Sequence, residues 1–276
     1  MGESVSSRLS FNAGVVQGSA IGPAAYVVCA SDLQPYCAFN KLFKYADDSY
    51  LLVPASNLHS VQQEFDHLAQ WSNLYNLKLN ISKCKVMVIH STHHSLGGIP
   101  SVPVTVTGIE RVQSLVILGV HLSDKLSMQE HVNDLTSASN QSMFALRTLK
   151  RCGLADEAIW AVCRATLIAK ILYGSSAWWG FANQAQINCL EGIIRRAVKW
   201  DLYPTSGPTL DDLTNRADRV LFQKMLSNRN HVLNPLLPPI KVTAYNLRPR
   251  SHNRMLPLKT FTLAKNFVYR MLYSEI

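Results

Sequence analysis

The stretch "FKYADDSYLLVP", residues 43–54, places two adjacent carboxylates, Asp47 and Asp48, between two short apolar runs. The flanking segments 42–46 and 50–53 are rich in residues that favour strands, whereas Asp is disfavoured in strands. Two short strands on either side of a polar Asp-Asp-Ser segment predict a β-hairpin. This hairpin decides the fold class of the first part of the chain.

The two carboxylates have two interpretations, and the residues alone leave both open. Such a pair is most often a solvated hairpin tip. Alternatively, hydrophobic packing on both sides lowers the local dielectric, and the carboxylates then repel each other unless a divalent cation neutralises them. Magnesium prefers such oxygen ligands, and paired ions can hold the attacking and leaving oxygens of a phosphoryl transfer. That interpretation requires a third carboxylate from elsewhere.

The remainder of the first part of the chain mixes strand and helix patterns. An apolar segment at 24–33 predicts a buried helix, and apolar residues every three or four positions predict an amphipathic helix over 58–77. Residues 84–90 are typical of a strand, and a second hairpin is predicted across 102–122. The chain is therefore predicted to be α+β.

The later part of the chain is predicted to be mostly helical. Turn residues separate four candidate helices, which span 128–151, 155–173, 184–200 and 209–230. The final segment 241–276 is predicted to be an irregular basic tail, because it contains seven Lys and Arg against one Glu.

The charge of the chain is unevenly distributed. Residues 1–140 contain 8 Lys and Arg against 10 Asp and Glu, a net charge of −2, whereas residues 141–276 contain 19 against 8, a net charge of +11. An asymmetry of this size indicates a polyanionic partner, and nucleic acid is the first candidate. A solvated basic surface accounts for the composition equally well.

Several classes of protein are excluded by simple patterns. The apolar run 158–182 carries Arg164 and Lys170, which favours a buried helix over a membrane span. The N-terminus lacks the basic and apolar regions of a signal peptide. The six cysteines contain no CxxC spacing and indicate reduced thiols. We therefore expect an intracellular protein with no membrane contact, and the choice between nucleus and cytoplasm stays open.

An ordered set of motifs resembles the reverse transcriptases of non-LTR (LINE-type) retrotransposons, in particular the CR1 and jockey kinds. In that family a Gln-Gly-Ser turn precedes a Tyr-Ala-Asp-Asp hairpin, a helix and a Leu-Asn segment. The matching stretches are "GVVQGSAIGP" (14–23), "KYADDSYLLVP" (44–54) and "NLKLNISKCKVMVI" (76–89). The similarity continues in "LGVHLSDKL" (118–126), "LYGSSAWWGF" (172–181), "HVLNPLLPP" (231–239) and "YNLRPRSHNRMLP" (245–257).

The resemblance implies an organisation in three regions. Residues 1–122 would form part of a polymerase palm, built from antiparallel hairpins and helices, in which "LVILGVHL" (115–122) resembles the hairpin that supports the primer end. Residues 123–240 would form a helical thumb or connector, and 241–276 a basic tail. The partners implied are an RNA template, a DNA primer and a dNTP; no obligate protein partner can be inferred.

The resemblance also implies roles for individual residues. Asp47 would bind both catalytic Mg²⁺ ions, and Asp48 would assist or lie just behind it. Lys83, or alternatively Lys85, would stabilise or protonate the departing pyrophosphate, although either lysine could equally be a solvated strand edge. The expected substrate-binding residues beside the primer terminus, incoming nucleotide and templating pair are Gln17, Gly18, Ser19, Tyr45 and Ala46.

Basic residues of the second half are candidate contacts to a template–primer backbone. Those near the end of a candidate helix, which could equally serve the helix dipole, are Arg195, Arg196 and Lys199. Those in the predicted tail are Arg248, Arg250 and Arg254. The pair Trp178-Trp179 is expected to lie in the core and not to stack on bases.

Two departures from the family pattern bear on activity. Val16 stands where the family usually has Pro before Gln17, which loosens the turn slightly. The family carries another metal-binding Asp well upstream of this turn, whereas Glu3 is the sole acid before Gln17. Asp32 and Asp66 fall in segments predicted to be helical and are not expected to replace it. The chain is therefore expected to be a truncated enzyme, inactive by itself.

Two other hypotheses remain beside the polymerase fragment. One is a non-catalytic nucleic-acid-binding module derived from such a polymerase, which would keep the basic second half. The other is a helical interaction protein in which Asp47 and Asp48 form only a hairpin tip.

Overall fold

The structure, a computed structural model, describes residues 18–89, 105–241, 252–258 and 260–274. The chain forms two compact units, Met1–Gln113 and Ser114–Ile276. Helices and short two-stranded sheets occur together, which confirms the predicted α+β class.

The first unit contains two sheets and two helices within its described residues. Its elements are α1 (Gly22–Cys29), β1 (Lys41–Tyr45), β2 (Asp48–Leu52), α2 (Val61–Leu74), β3 (Lys85–Val86) and β4 (Glu110–Arg111). Strands β1 and β2 pair antiparallel with Phe43 opposite Tyr50, and form the hairpin that the two strand-favouring runs predicted, although Asp48 and Ser49 belong to β2 and not to the tip. Strands β3 and β4 pair in parallel over two residues each.

A buried carboxylate organises the loop before this hairpin. Glu64 of α2 is fully buried, and its oxygens accept hydrogen bonds from the backbone N–H groups of Tyr36 (3.0 Å) and Cys37 (2.7 Å) and from Nδ2 of Asn40 (2.7 Å). Few apolar side chains are buried in the described part of this unit; they are Ala30, Leu33 and Val106. Polar contacts therefore contribute much of what holds the loop in place.

The second unit begins with a hairpin and continues with helices around one large apolar core. Its elements are β5 (Ser114–Ile117), β6 (Val120–Ser123), α3 (Gln129–Arg151), α4 (Asp156–Cys163), α5 (Ala169–Leu172), α6 (Ser175–Trp178), α7 (Gln184–Lys199), α8 (Leu210–Ser227) and α9 (Phe267–Ser274). The long helix α3 packs against α7 and α4. The fully buried side chains at these contacts include Ile159, Leu167, Leu190 and Ile193. Trp178 and Trp179 are also buried, as predicted.

Local sequence sets the starts of two helices. Asn183 and Thr209 precede α7 and α8, and each forms a capping box with the residue three positions later, Gln186 and Asp212 respectively. In a capping box each side chain accepts a hydrogen bond from the other residue's backbone N–H, which pairs amides that would otherwise lack partners. These starts agree with the predicted helices to within one residue.

One helical stretch of the described chain, Asp156–Phe181, is long and apolar enough to cross a membrane by length and composition. A π-helical turn at Arg164–Ile168 joins α4 to α5, and Gly174, with φ 59°, separates α5 from α6. Ile159, Leu167 and Ile171 of this stretch are fully buried. The stretch therefore contributes helices to the core of the second unit, as the sequence predicted for 158–182.

The second hairpin, predicted across 102–122, is shorter than expected, whereas the segment 115–122, which resembles the hairpin that supports the primer end, does form a hairpin. The hairpin lies within 114–123, and its turn is formed by Leu118 and Gly119, both with positive φ (47° and 81°). Residues 110–111 instead pair with β3. Of the predicted segment, residues 102–104 lie outside the described residues. Residues that favour strands are spread over most of 102–122, so composition alone did not show where the hairpin begins.

Two other expectations are also corrected. The tail 241–276 is not irregular throughout, because α9 buries Phe267, Val268 and Leu272 against Phe222 of α8 and its neighbours. The helix predicted at 24–33 also differs from the expectation, because α1 ends at Cys29, Asp32 lies in the following turn, and none of the residues of α1 is buried.

Candidate functional site

The tip of the β1–β2 hairpin carries the two candidate metal ligands. Tyr45 pairs with Asp48 at the end of the ladder, so Ala46 and Asp47 form a two-residue connection. Ala46 has φ 49°, a left-handed conformation that costs a residue with a Cβ about 1–2 kcal/mol. Backbone strain of this kind persists where the surrounding structure enforces it, and it is frequent at functional sites.

Both carboxylates are exposed, and so is most of the hairpin. Side chains alternate between the faces of a strand, so Phe43 and Tyr45, which are 54% and 64% exposed, share a face with Asp48. The expected apolar packing on both sides of the carboxylates is therefore wrong. The pair lies in a region accessible to solvent, beside aromatic side chains that are also accessible.

The donor set of the tip suits a hard cation in part. Magnesium commonly keeps several waters and takes one or two protein carboxylates together with substrate phosphates. Asp47 and Asp48 can supply those carboxylates. Within the described residues no group of three or more His, Cys, Asp or Glu side chains is arranged to hold a metal ion. The pair is thus a partial site that needs ligands from water, substrate or another segment.

Tyr26 of α1 lies close enough to the hairpin tip for the charge of Asp47 to affect its pKa. Its pKa is raised above the ordinary value of 10.0, first by partial burial and second by the negative charge of Asp47. The Tyr26 phenol is therefore within electrostatic range of Asp47. The sequence analysis did not single out this residue, since an aromatic in an apolar helix carries no separate signal.

The other predicted substrate-binding residues precede α1. Gly18 has φ 82°, which glycine adopts without strain, and the Ser19 hydroxyl accepts a hydrogen bond from the N–H of Gly22 at 3.0 Å. These two residues build the turn into α1. Gln17 lies outside the described residues.

The two alternative lysines differ in their surroundings. The Lys85 ammonium forms an ion pair with Glu110 on the neighbouring strand. Lys83 ends a short 3₁₀ turn, Ile81–Lys83, and its side chain is exposed. Of the two, Lys83 is therefore the better placed to meet a ligand.

The predicted backbone-binding residues of the second unit lie on two different elements. Arg195, Arg196 and Lys199 are exposed on the last turns of α7. Arg195 also forms an ion pair of 3.5 Å with Glu191. Arg254 donates from Nη1 to the Pro238 carbonyl at 3.0 Å and thereby ties two loop segments together. Arg248 and Arg250 lie outside the described residues.

One residue near the site was missed from the sequence. Lys44 of β1 donates from Nζ to the backbone carbonyls of Ala30 (2.5 Å) and Leu33 (2.8 Å). Its only sequence signal is a cation placed between the aromatic residues Phe43 and Tyr45.

Comparison with known proteins agrees with the motif order. The family model "Reverse transcriptase (RNA-dependent DNA polymerase)" matches residues 2–122. The chain is 28% identical over 137 residues to the RNA-directed DNA polymerase from mobile element jockey of Drosophila melanogaster, covering 46% of this chain and 15% of that protein. It is 27% identical over 209 residues to the probable RNA-directed DNA polymerase from transposon BS of the same organism, covering 68% of this chain and 22% of that protein.

A third relative comes from a different insect. The Retrovirus-related Pol polyprotein from type-1 retrotransposable element R1 of Nasonia vitripennis is 23% identical over 177 residues, 60% of this chain and 52% of that protein. The chain thus spans about a fifth or less of the first two relatives and about half of the third. No solved structure matches the chain. The family match over residues 2–122, which include the hairpin, and the three relatives lead to one conclusion: this part of the chain is a reverse transcriptase segment, and the chain as a whole is similar to the polymerases of non-LTR retrotransposons.

Proposed function

We propose that the chain is a part of an RNA-directed DNA polymerase that carries its metal-binding hairpin and a nucleic-acid-binding helical region. The observation that supports this most directly is the exposed two-residue connection that carries Asp47 beside Asp48, within the segment matched by the reverse transcriptase family. In this proposal 1–122 is part of the palm, 123–240 the thumb-like region and 241–276 a basic C-terminal segment.

The reaction proposed is transfer of a nucleotide to a DNA primer on an RNA template. The 3′-hydroxyl loses its proton to solvent as its oxygen attacks the α-phosphorus of a dNTP, the α–β phosphoanhydride bond breaks, and pyrophosphate leaves with the bonding electrons. Bound Mg²⁺ would supply charge neutralisation at the attacking and leaving oxygens. Asp47 and Asp48 would hold the ions, and Lys83 would donate a proton or a hydrogen bond to the pyrophosphate.

The remaining residues orient the substrates in this proposal. Tyr45 and Ala46 lie beside the primer terminus and the incoming nucleotide. The turn of Gln17, Gly18 and Ser19 lies against the templating pair, where glycine permits close approach of the backbone. The exposed cations of α7 and the arginines Arg248, Arg250 and Arg254 bind phosphates. Such a function requires an intracellular location, and it leaves the choice of nucleus or cytoplasm open.

We also propose that the polypeptide alone is a poor catalyst. The described residues gather two carboxylates at the tip and no third ligand, so the ions are held weakly. Each loss of about 1.4 kcal/mol in transition-state stabilisation lowers the rate tenfold. A fully ligated site therefore needs a contribution from outside the described residues.

The experiment compares the chain with Asp47→Asn and Asp48→Asn variants in three assays. These are Mn²⁺ binding by electron paramagnetic resonance, salt-dependent binding to an RNA–DNA hybrid, and primer extension on RNA. We expect Mn²⁺ binding that both variants weaken, hybrid binding that falls steeply with salt, and little extension. Mn²⁺ binding unchanged in both variants refutes the metal site, and extension that survives Asp47→Asn refutes the catalytic assignment.

A second candidate function is a non-catalytic nucleic-acid-binding module. The observation that favours it is the concentration of positive charge in residues 141–276, net +11, at a distance in sequence from the carboxylate pair. It predicts hybrid binding of the same strength and salt dependence in the chain and both variants, with no specific Mn²⁺ binding at the hairpin.

A further inference from the structure

The β1–β2 hairpin is attached to its unit by few buried contacts. None of its ten strand residues is buried, and Leu42, Tyr50 and Leu51 are only partly covered. A two-stranded ribbon without apolar burial is marginally stable in water. Something else must therefore hold the tip, with its two carboxylates, in a defined place.

Lys44 makes a polar attachment between the hairpin and α1. Its ammonium donates to the carbonyls of Ala30 and Leu33. Ala30 is the residue that caps the C-terminus of α1, where unpaired carbonyls and the helix dipole favour a cation. Both hydrogen bonds are charge-assisted, and such bonds are shorter and stronger than neutral ones.

The turn that receives Lys44 is itself fixed. Ala30 and Leu33 are 4% and 5% exposed. Between them, the Asp32 carboxylate accepts hydrogen bonds from Nε1 of Trp71 (3.0 Å) and from the hydroxyl of Tyr75. Trp71 belongs to α2 and Tyr75 follows its last residue. A continuous polar connection thus runs from α2 through the turn at residues 30–33 to strand β1.

The side chain of Lys44 points away from the face of the hairpin that carries Asp48. Lys44 pairs with Ser49, and Tyr45 pairs with Asp48 one step further along the ladder. Neighbouring pairs point to opposite faces of the ribbon. Lys44 therefore lies on the face away from Asp48, and its ammonium is used by backbone carbonyls of the turn.

We infer that Lys44 is a positioning residue for the carboxylate pair: it holds β1 against the turn at residues 30–33 and so sets where Asp47 and Asp48 meet a divalent cation. This inference rests on the proposed function of the pair as a metal site. It concerns the geometry of the ligands, and Lys44 itself touches neither metal nor substrate.

The experiment uses the full chain with four substitutions. Lys44→Met removes the donor, and Lys44→Arg keeps a charged donor. Lys41→Met is the matched control, because it removes a charge from the same strand on the opposite face. Asp47→Asn tests the metal site. Mn²⁺ affinity is measured by electron paramagnetic resonance, and amide hydrogen exchange of the hairpin and of α2 is measured on the same samples without metal.

Lys44→Met removes both charge-assisted hydrogen bonds, and we expect it to weaken Mn²⁺ binding at least about tenfold relative to Lys41→Met, because the loss of one such bond already corresponds to a change of about that size. Exchange of the β1–β2 amides should quicken by a similar factor while exchange in α2 stays unchanged. Lys44→Arg should recover most of the affinity and protection. The exchange readout shows whether a variant remains folded.

The outcomes separate the inference from the function on which it rests. If Asp47→Asn binds Mn²⁺ as the unchanged chain does, the metal site itself is wrong. If Asp47→Asn loses binding but Lys44→Met matches Lys41→Met in affinity and in hairpin exchange, the positioning role is wrong. If Lys44→Arg is as impaired as Lys44→Met, the hydrogen-bonding basis of the role is wrong.

Discussion

The ion pair between α8 and α9 gives a prediction whose magnitude follows directly from burial. Nη1 of Arg270 lies 2.9 Å from Oδ2 of Asp218, and the two side chains are 22% and 3% exposed. Oδ1 of Asp218 and Nε of Arg270 are buried and have no hydrogen-bond partner among the residues that the structure describes. The pair is therefore buried and incompletely satisfied, a state in which desolvation offsets most of the attraction.

Removing one partner is expected to cost far more than removing both. Arg270→Met leaves the Asp218 carboxylate buried without a counter-charge, which costs about 3–5 kcal/mol of unfolding free energy. Asp218→Leu costs less, because the guanidinium keeps partial exposure and a 3.5 Å contact from Nη2 to the Ser176 carbonyl. Replacing both residues by these apolar ones should be nearly neutral, since buried pairs are often equalled by well-packed apolar side chains.

Urea unfolding monitored by tryptophan fluorescence measures these differences in unfolding free energy for the second unit. Four tryptophans (160, 178, 179 and 200) lie in Ser114–Ile276, and one (71) lies outside it. Arg216→Met, an exposed change on α8, is the control. A loss below about 1 kcal/mol for Arg270→Met, or a double variant as unstable as the sum of the singles, refutes this account of the pair.

Three further predictions concern other parts of the fold. Burial would raise the pKa of Glu64, but hydrogen bonds from Asn40 and two backbone amides lower it below 4.5. The stabilisation of the first unit by this carboxylate should therefore be complete above about pH 4.5 and be lost as the pH falls through the lower pKa of the folded state. Amide exchange measured against pH should show this loss in the unchanged chain and not in Glu64→Gln. Thr209→Ala should destabilise the second unit by about 1 kcal/mol in urea unfolding, because it removes the capping box of α8; no change there would show that the cap is not used. Ala46→Gly should leave the hairpin as protected or better by about 0.5 kcal/mol in amide exchange, because relief of the positive φ exceeds the added chain entropy; faster exchange than in the unchanged chain would contradict that balance.

Much of this fold could be predicted from the sequence, because several strands and helices are determined by the residues of their own segments. The hairpin around Asp47 follows from two strand-favouring runs on both sides of a polar segment, and the helices of the second unit follow from their apolar pattern and the turn residues between them. The pairing of β3 with β4 could not be predicted, because two residues are too few for a period to show and the partners are 25 positions apart. Helix α9 was not predicted, because eight residues within a basic segment are too few to show a clear helical pattern.

The candidate site also contains residues that the sequence predicts and residues whose role depends on the tertiary structure. Asp47 and Asp48 are visible in the sequence because adjacent acids in an apolar strand pair are unusual. The role inferred for Lys44 depends on where the end of α1 lies relative to β1, which is a tertiary relation. The exposure of the hairpin could not be predicted either, since Phe43 and Tyr45 have the composition of a core strand and yet lie on the surface.

The hairpin has a further consequence for the behaviour of the purified chain. Sheet β1–β2 has two strands, so each strand has one edge that its hairpin partner does not fill. An accessible strand edge beside exposed apolar side chains, here Phe43, Tyr45 and Leu52, is a template for strand addition between molecules. Concentrated solutions of the chain are therefore expected to self-associate through this ribbon, and light scattering at each concentration will show the range in which single molecules can be studied.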